Sequence, residues 1–321
     1  MKKGILKLLR LILGLAPIVW IFTRTDFTSV AENLKTISPL VLSSILLLVV
    51  TSIFLQGFRW WILVKRFIPD LNLLLTLKVH LQSTFYAIIL PSSAAQDVVR
   101  AVILSRSHPS SIIWASSWIA RLMGLFILML LAFAGLTLFD TEVLPQGFRF
   151  SFFSVFAIAL LASVASFSKT ITRPLRRIMI RFPDNRLIQF FSNLRDSIYD
   201  YKNARTTLIQ ASTISLTTQL LLILNASLLF YAVTDRFYFW ECLALIPLIE
   251  IISISLPLTP GGIGVREGLM ALMFSQLGLD ADQLASYVTI SLLVSFSRLI
   301  GGLPLLYDYM MKKNKPATNR Q

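Results

Sequence analysis

The stretch LPLTPGGIGVREG, Leu256 to Gly268, sets two prolines, four glycines, an arginine and a glutamate inside one of the most hydrophobic parts of the chain. Proline removes a backbone donor and glycine is a poor helix former, so a helix that reaches Pro260 stops and another starts beyond it. Irregular backbone at membrane depth is tolerated only where protein buries it or water reaches it. Whether the chain is a plain stack of spans or encloses a polar cavity therefore turns on this break.

The surroundings are those of a membrane protein. Of 321 residues, 55% are hydrophobic and only 14% charged, with a mean hydropathy of +0.73. Apolar runs long enough to cross a bilayer occupy Ile5–Phe22, Leu40–Phe58, Ile112–Phe139, Phe150–Phe167, Leu208–Val233 and Leu284–Tyr307. The first has a basic start but no small-residue cleavage site after it, and reads as a retained helix. Single Cys242 excludes an intrachain disulfide, and His80 and His108 do not form a metal-ligand spacing, so no metal or cofactor is expected.

The net charge of +14 follows the loops and does not point to nucleic acid. With the amino terminus inside, segments 1–10, 59–70, 169–206 and 310–321 hold 20 Lys and Arg. Segments 23–37, 139–149, 234–241 and 278–283 hold four, with eight acidic residues. That bias places both termini in the cytoplasm.

Two regions interrupt the regular spans, 71–106 and 240–277. Read as half-helices that dip in and return from opposite sides, they leave an all-α polytopic protein of about six full crossings with two re-entrant pairs; full spans would give eight or more. Both breaks start at a proline, Pro91 and Pro260, and are followed by charge: Asp97 and Arg100 in the first, Arg266 and Glu267 in the second. Matching interruptions in two halves suggest an inverted repeat. The organisation is then a first half, 1–168, a basic connector, 169–206, a second half, 207–309, and a basic tail, 310–321. Within the connector, RPLRRIMIRF has the spacing of a surface-lying helix.

Arginine near a helix centre costs roughly 2.5–3.5 kcal/mol to insert, so Arg121 and Arg298 need partners inside the protein. Asp97 and Arg100, three apart, share a helix face, whereas adjacent Arg266 and Glu267 are expected to point apart. Arg100, Arg121, Arg266 and Arg298 outnumber Asp97, Glu250 and Glu267, and an anionic ligand would restore the balance. The helix after Pro260, Gly261, Gly262 and Gly264 would present unpaired N–H groups, with Arg266 in its first turn, to a lipid phosphate. A buried charge network that fixes helix register is the competing reading. Arg59, beside Trp60 and Trp61, reads as an interfacial anchor.

The stretches QGFRWWILV, LPSSAAQDVVRAVILSR, ARLMGL, PLTPGGIGVREG and SFSRLIGGLP resemble the membrane domain of lysylphosphatidylglycerol synthases and the wider family of flippase-like membrane proteins. The resemblance implies an inner-membrane protein that moves or presents an anionic or isoprenoid-linked lipid, with functional weight on Asp97, Arg100, Arg121, Pro260, Gly261, Gly262, Glu267 and Arg298. The family often has glycine before the acid of the first motif, where this chain has Gln96. A short basic tail follows Tyr307, so a stand-alone member without the soluble aminoacyl-transferase domain is expected.

Lipid transport without covalent chemistry is the leading expectation, with Asp97, Glu250 and Glu267 as candidate proton carriers. The partners expected are anionic phospholipid or polyprenyl-phosphate-linked lipid, a lipid-modifying enzyme or glycosyltransferase, and a second copy of the chain. The alternatives are an embedded enzyme for lipid-linked sugars or phospholipids, for which Asp280 and Asp282 would be the metal-binding pair, and an accessory subunit anchored through the basic connector. Against the metal pair, either aspartate also suits the start of the last helix as a cap.

Overall fold

Long runs of leucine, isoleucine and alanine form helices, and the computed structural model contains no strand among its described residues, which are 35, 37–90, 94–138, 147, 154, 157, 186–255 and 263–313. In chain order these form α1 (Pro39–Lys65), α2 (Leu73–Ile89), α3 (Ala95–Leu104), α4 (Ser110–Leu138), α5 (Arg186–Asp200), α6 (Arg205–Thr234), α7 (Phe239–Ser255), α8 (Val265–Phe274), α9 (Ala281–Ser295) and α10 (Leu303–Lys313). A 3-10 stretch, Phe296–Gly302, joins α9 to α10. Spans expected at Ile5–Phe22 and Phe150–Phe167, the RPLRRIMIRF helix, and the breaks at 91–93 and 256–262 lie outside the described residues.

Four of the expected spans are present as helices long and apolar enough to cross a membrane: α1, α4, α6 and the run Ala281–Met311. At 1.5 Å per residue the 27 residues of α1 reach about 40 Å, more than the roughly 30 Å of hydrocarbon. Leu47, Trp118, Phe133, Ile209 and Leu293 are exposed on their outer faces, as lipid-facing side chains would be. The chain is an all-α membrane protein.

Each interrupted region is a 17-residue helix followed by a 10-residue one, α2 with α3 and α7 with α8. Ten residues make only about 15 Å, too short to cross. Local chemistry sets the starts: the Asn72 side chain accepts from the N–H of Leu74 at 2.7 Å and caps α2, and Gly264 adopts φ +91° before α8, a conformation that suits glycine. Asp280 caps α9, accepting from the Gln283 N–H at 2.7 Å.

Spans α1 and α6 run antiparallel: Arg59 bonds to Ser215, and Asn225 donates to the Ile45 carbonyl at 2.9 Å. Span α4 packs on α7, the 3-10 stretch Phe296–Gly302 packs on α2, and a glycine sits at each contact. A Cβ on Gly135 in α4 would lie 2.5 Å from the Leu243 carbonyl oxygen of α7. Pro247 deprives that carbonyl of its i+4 helical donor. Gly301 meets the Leu81 carbonyl of α2 in the same manner. Beside this second contact, Lys78 pairs with Asp308, to which Gln82 also donates at 3.0 Å.

Phe230 is at the centre of one core, stacked on Tyr287 at 4.1 Å and edge-on to Phe274 at 4.9 Å. Buried Trp60, Leu63, Ile113, Ile119 and Tyr201 form a second. Tyr201, at the end of the connector, donates its hydroxyl to the Leu63 carbonyl at 2.9 Å, one of the terminal carbonyls of α1. Tyr201→Phe is expected to cost about 1 kcal/mol, read as a modest fall in melting temperature in detergent.

Candidate functional site

The polar side chains that the spans carry do not scatter. In α1, Ser52, Gln56 and Arg59 follow one another at helical spacing on a single stripe, and the matching stripe of α6 holds Thr218, Gln219 and Asn225. These stripes, with α3, α4, α7, α8, α9 and the 3-10 stretch that follows it, line a cavity of about 300 Å³. Leu48, Val49, Leu125, Leu221, Leu222 and Val294 supply an apolar wall. Five arginines line it: Arg59, Arg100, Arg121, Arg266 and Arg298.

The first cluster is built around Asp97. Its Oδ1 accepts from Arg100 Nη2 at 2.7 Å and its Oδ2 from Arg121 Nη1 at 2.9 Å, so one carboxylate bridges two guanidinium groups. The expected Asp97–Arg100 face on α3 is present. Arg100 is 3% exposed and its guanidinium stacks over the Trp60 ring at 4.7 Å. Gln96 lines the cavity and approaches the buried His80 ring at 3.4 Å.

Arg59 is not an interfacial anchor. It is 8% exposed, donates from Nη1 to Ser215 Oγ at 2.7 Å, and turns into the cavity. The neighbouring tryptophans suggested a membrane surface, but Trp60 is fully buried and packs between helices. The signal was the Ser52–Gln56–Arg59 stripe, which has no reason to exist on a lipid-facing helix. Gly124 of α4 leaves the room: a Cβ there would stand 3.4 Å from Arg59 Nη1. Gly124→Leu is therefore expected to crowd the guanidinium and lower anionic-lipid retention several-fold, measured by native mass spectrometry, while the melting temperature changes little.

The second cluster corrects two expectations. Arg266 and Glu267 do pair, Nη2 to Oε1 at 3.2 Å, and Arg266 also reaches Glu250 at 3.6 Å and bonds to Ser295. About 100° of helical rotation separates adjacent side chains, yet Glu267 folds back to the start of α8, which brings its carboxylate within reach. There Glu267 Oε2 accepts from the Gly264 N–H at 2.6 Å. The helix start expected to await a phosphate thus already holds a carboxylate of its own, the stabilising charge for a helix N-terminus. Pro260, Gly261 and Gly262 lie outside the described residues.

Arg298 projects from the 3-10 stretch, half-buried and without an ion pair among the described residues. Lys78 belongs to the Asp308 pair and Arg106 is exposed; neither lines the cavity. Asp280 and Asp282 do not line it either, and Asp280 is engaged as a cap. Among the described residues no group of three or more His, Cys, Asp or Glu is placed to hold a metal ion.

No curated protein and no solved structure matches this sequence. The profile of the lysylphosphatidylglycerol synthase TM region matches residues 7–302. It runs through both clusters, both interrupted regions, three of the long spans and most of the fourth, and the chain belongs to the lysylphosphatidylglycerol synthase transmembrane-region family.

Proposed function

We propose that the protein binds an anionic or isoprenoid-linked phospholipid by its headgroup and carries it across the bilayer, without covalent chemistry. The observation that carries this reading is a cavity between the spans where five arginines meet two carboxylates, Asp97 and Glu250, beside an apolar wall, with Glu267 paired to Arg266 behind it. Moving an ion of phosphate size into hydrocarbon costs of order 20 kcal/mol before relaxation, so an unassisted headgroup does not cross. A polar path with fixed guanidinium groups replaces its lost hydration while the tails stay in lipid. The volume, near the lower end for ligand pockets, suits a headgroup and not a whole lipid.

Family membership ties the chain to phospholipid handling; translocation is the step beyond. The loop-charge bias supports an inner-membrane protein with about six full crossings and both termini in the cytoplasm, and the short α3 and α8 support re-entrant pairs. Asp97, Glu250 and Glu267 are the candidates for proton coupling, a role that a transfer rate insensitive to an imposed pH gradient would remove. Native mass spectrometry of the gently extracted protein tests binding. The wild type should retain a defined anionic lipid and a folded Arg100→Ala, Arg298→Ala variant should lose it; equal, unselective retention would favour a purely structural charge network.

A further inference from the structure

The charges in the cavity are not spread evenly. Around Arg266 and Arg298 stand Glu250 and Glu267, so that end is neutral in sum. Around Arg59, Arg100 and Arg121 the described residues place one carboxylate, Asp97, so among the described residues the formal excess, two positive charges, sits at the α1–α3–α4 end. There the Nε atoms of Arg59 and Arg100 are buried and have no hydrogen-bond partner among the described residues. Both side chains are more than nine-tenths buried, both line the cavity, and both are held in place from elsewhere, Arg59 by Ser215 and Arg100 by Asp97 and Trp60.

Resting on the lipid-binding reading above, we propose that this end is the phosphate seat, that Arg59 and Arg100 form it, and that it selects a phosphoryl group carrying two negative charges. Such a group is the phosphomonoester or diphosphate end of a lipid, not the singly charged phosphodiester of an ordinary phospholipid. A dianion cancels the excess and presents enough oxygens for the guanidinium N–H groups of Arg59 and Arg100 that line the cavity. A diester cancels half of the excess and leaves a buried positive charge uncompensated, the arrangement a low-dielectric site disfavours. The neutral end, with Glu250, Ser295 and Arg266, offers donors and acceptors in balance and suits the uncharged hydroxyls of whatever the phosphate bears.

Phosphatidic acid and phosphatidylglycerol of identical acyl chains are the probes, because at pH 8 the first carries about two charges and the second one. Full-length protein in phosphatidylcholine nanodiscs holding equal small amounts of both is re-extracted in mild detergent, and the retained lipids are counted by native mass spectrometry. Wild type should retain phosphatidic acid over phosphatidylglycerol about tenfold, the ratio one added charge contact would produce. Arg59→Gln removes one charge from the seat, and Gln96→Glu adds an opposing charge while leaving every arginine in place; either should bring the ratio close to one. Inorganic pyrophosphate as competitor separates the sources: a seat for lipid resists it, and a seat for free phosphate yields to it, with the dianion preference intact in both. Equal retention of the two anionic lipids, both above phosphatidylcholine, overturns the dianion selection and leaves lipid binding standing. Retention of neither above phosphatidylcholine, with no pyrophosphate bound, overturns both. An undiminished preference in both folded variants places the seat elsewhere and overturns the assignment to Arg59 and Arg100.

Discussion

Asp97→Ala is expected to destabilise the detergent-solubilised protein by about 3–5 kcal/mol, because it strips the shared counter-charge from two arginines at once. Arg100 is almost completely buried and Arg121 is 22% exposed, so neither can recover full hydration. Removing one member of a buried charge cluster costs more than the cluster contributed, since the orphaned charges remain. The same substitution raises the positive excess of the cavity, so a bound anion should become more stabilising, not less. Thermal unfolding by fluorescence-detected size exclusion should therefore show a large fall in neutral detergent and a substantial recovery when anionic lipid is added. Equal stability of variant and wild type in neutral detergent would mean that Asp97 does not hold the two arginines.

Gly301→Ala should be comparably severe, although it adds a single methyl group. The Cβ would be driven into the Leu81 carbonyl, and would stand 2.5 Å from Thr84 Oγ1 and 2.9 Å from the Phe85 amide nitrogen. Two of these three neighbours are backbone, so no rotamer change relieves the contact and α2 must move away from the last span. Overpacking of this kind costs about 1–3 kcal/mol in ordinary cores, and a backbone collision belongs at or above the upper end. Gly302→Ala is the internal control. Its Cβ would meet the Phe85 ring at 3.2 Å, and a ring can shift by the few tenths of an ångström required. A melting-temperature loss several times larger for Gly301→Ala than for Gly302→Ala is the expected result, and equal losses would contradict the close helix contact.

The spans were legible because length and apolar composition are local properties: α1, α4, α6 and the run from Ala281 coincide with runs of leucine, isoleucine and phenylalanine that nothing else explains. The interrupted regions were legible for the same reason, since proline and glycine are poor helix formers by their own chemistry, and the short helices α3 and α8 follow Pro91 and Gly264. Asp97 with Arg100 followed from spacing on one face. Arg59 did not, because its position beside two tryptophans fits a membrane surface as well as an interior, and only the packing of α1 against Ser215 decides.

The second cluster was misjudged for a different physical reason. Helical spacing fixes where Cβ atoms point, but Arg266 and Glu267 are long, and the pull of the Gly264 N–H swings the Glu267 carboxylate back over the helix start. The repeat expected from the Pro91 and Pro260 breaks turns on segments outside the described residues. Arg121, in Arg-Leu-Met-Gly at 121–124, and Arg298, in Arg-Leu-Ile-Gly at 298–301, both face the cavity. That Gly135 and Gly301 are points of close helix contact depends on carbonyls far away in sequence.

The central claim is that a headgroup crosses through the arginine-lined cavity, and the most direct test is a dithionite protection assay in proteoliposomes carrying a tail-labelled fluorescent anionic phospholipid. Wild-type protein should expose nearly all of the label to the impermeant quencher, since inner-leaflet lipid reaches the outer leaflet. The Arg100→Ala, Arg298→Ala variant, inserted and monodisperse, should leave the inner half protected, as in protein-free vesicles. Equal loss of protection in wild type and variant would contradict the account, because the headgroup would then be crossing by a route that does not use these arginines.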